Sequence, residues 1–65
     1  MDVNKLRGII VEKGLTQEYV AKAIGITPKT FYNKMKKGVF GTDEVLRISK
    51  LLHIENPASI FLAEK

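Results

Sequence analysis

Apolar residues recur at three- and four-residue spacing in short bursts, each bounded by glycine or by a hydroxyl- or amide-bearing residue. That spacing is the period of an amphipathic helix, and it predicts five of them. The first runs from about Val3 to Lys13, with Leu6 and Ile10 one turn apart and Gly14 as a left-handed stop. Thr16 opens the second: its hydroxyl can accept the free amides of the first turn, and Leu15 and Val20 are spaced as a hydrophobic staple. Glu18 favours the positive end of that helix dipole. Val20, Ala21 and Ile24 form the inward face, and Gly25 halts it.

Thr27-Pro28 is a hydroxyl cap followed by a proline whose missing N–H does no harm there, so a third helix spans Pro28 to about Lys37 and stops at Gly38. Phe40, in the loop Val39-Phe40-Gly41, is expected in the core. Thr42 is expected to cap a fourth helix reaching Ile54, with Asp43 and Glu44 in its first turn and Val45, Ile48 and Leu52 turned inward. Ser49 is small enough for a close approach, and His53 stands where glycine would be more comfortable. Asn56-Pro57 repeats the cap-plus-proline opening for a last helix bearing Ile60, Phe61 and Leu62, three apolar neighbours that cannot all face inward. No strand competes, because Val39-Phe40 is too short and fenced by glycines. The predicted class is all-α.

The third helix carries the chemistry. Stepping about 100° per residue, Phe31 and Met35 share one stripe, while Lys29, Tyr32, Asn33 and Lys36 share the opposite one, with Pro28 at its start. Lys37, Thr30 and Lys34 lie together on one flank of that face. A helix fits the DNA major groove, where asparagine can pair bidentately with adenine and lysine can reach guanine acceptors. Proline can touch a thymine methyl, and tyrosine can stack or donate to a phosphate. Lys29 and Asn33 are therefore the expected base contacts, supported by Pro28 and Tyr32. Lys34, Lys36 and Lys37 are expected at backbone phosphates on the groove's rim.

Charge sharpens this picture. Residues 19–42 hold Lys22, Lys29, Lys34, Lys36 and Lys37 and no acid, a block of +5 between a neutral first segment and a last segment of −1. The whole chain of 65 residues carries +4. An acid-free basic block points to a polyanion, although lysines also serve simply as solvated helix faces. The length suits one domain over residues 1–65, hiding only about 60% of its unfolded surface. Without cysteine there is neither disulfide nor thiolate metal site. No apolar run approaches the roughly 18 residues of a membrane span, and the N-terminus lacks a signal-peptide core. The expected setting is the cytoplasm.

Enzymatic chemistry finds no foothold. His53 is the only histidine, and neither a Gly-rich phosphate loop nor a paired-carboxylate motif occurs. No cofactor or metal is expected.

The stretch from Gln17 to Met35 resembles the helix-turn-helix of the phage-repressor, Cro-like (XRE, lambda-repressor-like) family. The likeness rests on Gln17 opening the first helix, Ala21 at the helix crossing, Gly25 in the turn and Phe31 in the second helix. It extends through the fourth and fifth helices, and Thr30 to Met35 is similar to small prophage regulators of Gram-positive bacteria. The resemblance implies a five-helix DNA-binding domain with its helix-turn-helix at about residues 17–37. It implies a bacterial, nucleoid-associated transcriptional regulator, most simply a repressor. Gln17 then corresponds to a phosphate contact, and Thr27, Pro28, Lys29 and Asn33 to positions near the start of the recognition helix that approach bases or adjacent phosphates; Thr27 is expected at a phosphate. Tyr32 corresponds to a position facing the groove or its wall. Two positions depart from the pattern: Lys34 stands where many members are aliphatic, and Pro28 replaces a frequent polar reader. Family members often bind half-sites about one DNA turn apart as dimers, which implies a monomer or weak homodimer in solution that pairs on DNA. The alternatives are a protein-interaction module of the same fold, acting as an antirepressor or antitoxin, and an architectural DNA binder without sequence preference.

Overall fold

Five helices form where the periodicity puts them. A computed structural model describes residues 1–62, with α1 at Val3–Glu12, α2 at Gln17–Ala23, α3 at Pro28–Lys37, α4 at Thr42–Leu52 and α5 at Ala58–Phe61. Among the described residues there is no strand, and no helix is long and apolar enough to cross a membrane.

The helix starts follow from side-chain oxygens meeting orphan amides. Thr16 Oγ1 accepts the Tyr19 N–H at 3.0 Å, and Thr27 Oγ1 accepts the Thr30 N–H at 3.2 Å. Asp2, which the apolar pattern does not single out, caps α1 by accepting the Lys5 N–H at 3.0 Å. Its own N–H donates to the Ile60 carbonyl at 2.7 Å, tying the start of α1 to α5.

Two starts differ from expectation. Thr42 is the first residue of α4 rather than its cap. Gly41 takes the cap position, and its N–H donates to Glu44 Oε1 at 2.8 Å, so the acid one turn inside performs the closure. Asn56 does not cap either: α5 is a single turn entered through Pro57, and the Ser59 hydroxyl donates to the Asn56 carbonyl at 2.8 Å.

The helix ends share one geometry. After α1, α2 and α3, the N–H that follows the corner glycine reaches back to a carbonyl of the last helical turns: Leu15 to Ile10 at 3.0 Å, Ile26 to Ala21 at 3.0 Å and Val39 to Lys34 at 3.1 Å. The closure needs a left-handed residue at the corner. Gly25 has φ 86° and Gly38 φ 72°. After α4 the same bond, Ile54 to Ser49 at 2.9 Å, is made with His53 in the corner at φ 55°. The helix therefore stops at Leu52, short of Ile54.

One apolar cluster takes residues from every helix: Leu6 and Ile10, Val20, Ala21 and Ile24, Phe31 and Met35, Ile48 and Leu52, and Ile60. Phe40 packs on Phe31 with ring centroids 5.4 Å apart and on Phe61 at 6.3 Å, so the loop aromatic extends the core toward α5. Of the three terminal apolar neighbours, Ile60 is buried, Phe61 half-buried and Leu62 77% exposed. Ser49 is buried with its hydroxyl satisfied, donating to the Val45 carbonyl at 2.7 Å. α2 lies at the centre of the packing, with α1, α3 and α4 against it.

Candidate nucleic-acid interface

α2 and α3 are joined by a turn of only four residues, Ile24 to Thr27. Val20, Ala21 and Ile24 on one side and Phe31 and Met35 on the other are all at most 2% exposed. Ala21 has no bulk to hold the helices apart, and α3 packs chiefly on α2. This burial sets the roll of α3 about its axis: with Phe31 and Met35 held inside, the residues about half a turn away must point out.

They do. Lys29, Asn33 and Lys36 are exposed and Tyr32 is 50% exposed, on one face of α3. Lys37 is exposed at the C-terminal end, and Pro28 is half-buried at the first helical position. Gln17 is half-buried at the start of α2. The three lysines of the last turn, Lys34, Lys36 and Lys37, also complement the negative end of the α3 dipole.

Thr27 has a second role besides capping. Its hydroxyl meets that of Thr30 at 2.8 Å. Two hydroxyls in one mutual bond use one proton between them, so the pair keeps one O–H for an outside acceptor. Thr27 is the donor in that bond, so the free O–H beside the exposed face belongs to Thr30. Its signal in the sequence is the three-residue spacing to the cap threonine.

Lys34 departs from the expectation that its charge faces outward with the rim lysines. Its Nζ donates to both carboxylate oxygens of Glu44, each at 2.8 Å, in the only ion pair among the described residues. The side chains are 33% and 14% exposed. Burial pushes the Glu44 carboxyl up, but the Lys34 hydrogen bond, the Gly41 N–H and the nearby charges of Lys34 and Arg47 outweigh it. The net result is a carboxyl held below its ordinary range. Arg47, one turn further along α4, donates from Nη1 to the Ile24 carbonyl at the end of α2, at 3.0 Å. Sequence reasoning missed both α4 residues, because their partners lie ten and 23 positions away.

No protein-family model, characterised protein or solved structure matches this chain.

Proposed function

We propose that this chain is a sequence-specific double-stranded DNA-binding regulator of the lambda-repressor-like helix-turn-helix type, acting most simply as a repressor that occludes promoter DNA. The observation that carries the reading is the division of α3, with Phe31 and Met35 buried and Lys29, Tyr32, Asn33 and Lys36 exposed along one side. A helix so divided can enter the major groove with its apolar side still on the body of the protein. Asn33 and Lys29 read base edges, with Pro28 and Tyr32 at the groove wall. Gln17, the Thr27–Thr30 hydroxyl pair, Lys36 and Lys37 meet phosphates and fix the docking. The acid-free block from 19 to 42 supplies the long-range attraction. On DNA, two copies pair on half-sites about one helical turn apart.

Selection of bound sites from a random duplex pool, followed by mobility shift against competitor DNA, tests the proposal. The expected result is an enriched motif with two related halves. Retention without any enriched motif would make the protein an architectural binder. No retention at moderate salt would leave the basic face for an acidic protein surface, the antirepressor or antitoxin alternative.

A further inference from the structure

α4 carries two polar side chains, one turn apart, that reach the two helices of the candidate interface separately. Arg47 donates to the Ile24 carbonyl, where α2 ends. Glu44 receives Lys34 from the last turn of α3 through both carboxylate oxygens, and the Gly41 N–H besides. The backbones of α3 and α4 approach each other little, since both pack mainly on α2. The Lys34–Glu44 pair adds a polar tie between them to the shared apolar core. Glu44 is also the acid that stands nearest in sequence to the basic face on its C-terminal side, apart from Asp43. A bare carboxylate there would repel a polyanion; one satisfied by a lysine and an amide does so far less.

We propose that Glu44 and Arg47 are positioning residues for DNA recognition: they hold the end of α2 and the last turn of α3 against α4, and so set the angle at which Lys29 and Asn33 meet base edges. This rests on the DNA-binding reading above. Lys34 then acts through Glu44 rather than through phosphate. Base readout depends on bidentate geometry and suffers from a small tilt of α3, whereas attraction of lysines to the phosphate backbone tolerates it.

The test compares wild type, E44Q and R47Q on the selected site and on random duplex over a range of salt concentrations. In E44Q the amide oxygen can still accept the Gly41 N–H, so the charge is removed with little other change, and thermal melts of the same samples verify folding. Each variant is expected to lose about three- to tenfold in affinity for the selected site. Affinity for random duplex and the salt slope should stay as in wild type. Two results overturn the inference: unchanged discrimination in whichever variants remain folded, or tighter binding of all DNA by E44Q with a slope steeper by about one, which would reveal Lys34 as a phosphate contact restrained by Glu44. Absence of wild-type binding to either duplex would instead refute the DNA-binding reading itself.

Discussion

His53 occupies a backbone conformation that three other helix ends reserve for glycine, and exchanging the two residue types gives a paired measurement. At φ 55° and ψ 46° its Cβ crowds the following carbonyl, which costs an L-residue about 1–2 kcal/mol. Glycine escapes that cost but loses about 0.5–1 kcal/mol more chain entropy on folding. The imidazole is exposed and makes no hydrogen bond among the described residues, so nothing else is lost. His53→Gly should thus stabilise the protein by about 0.5–1 kcal/mol. Gly38→Ala is the mirror experiment. A Cβ at position 38 would stand 3.8 Å from Val3 Cγ2, an ordinary contact, so only the φ of 72° is strained. The expected loss is about 1 kcal/mol. For a domain of this size each kcal/mol moves the Tm by about 4–8 °C, large enough to read in a thermal melt. Urea titrations should show shifted midpoints with unchanged slopes. His53 lies outside the proposed interface, so its variant should keep wild-type DNA affinity. If His53→Gly destabilised the chain while Gly38→Ala left it unaffected, the left-handed closure of α3 and α4 would be refuted.

Three further outcomes are expected. Asn33→Ala should cost about 1–3 kcal/mol on the selected site and relax preference at one base pair, read by repeating the site selection with the variant. Lys36→Gln should weaken selected and random DNA alike and lower the salt slope by about one; discrimination lost without a slope change would make Lys36 a base reader instead. Glu44 has a folded-state pKa below its unfolded value, so its contribution to stability is present above the unfolded pKa and disappears as pH falls through the folded one. Urea midpoints between about pH 6 and pH 2 should therefore fall more steeply in wild type than in E44Q; parallel curves would show that the Lys34–Glu44 pair adds no net stability.

Much of the architecture is legible in short stretches of chain. Gly14, Gly25 and Gly38 mark helix ends because the closing bond needs a left-handed corner, and Thr16 and Thr27 mark starts because a hydroxyl can accept an amide three residues on. The same local rule misleads at Thr42, where Gly41 already has extended backbone and Glu44 supplies the acceptor, and at Asn56, where Pro57 itself adopts helical geometry. Each site offers two residues of suitable chemistry side by side, and local spacing does not separate them. The exposed side of α3 follows from Phe31 and Met35 alone. The different fate of Lys34 among three neighbouring lysines does not.

The sequence by itself determined the helices, their buried stripes and the position of the acid-free basic block, since all three depend on residues within a turn or two of one another. The tertiary structure alone decided that Glu44 takes Lys34, that Arg47 reaches Ile24 and that Leu62, rather than Ile60, stays outside. Those outcomes depend on how whole helices lie across α2, a packing problem solved by every side chain of the core together rather than by any one stretch of chain.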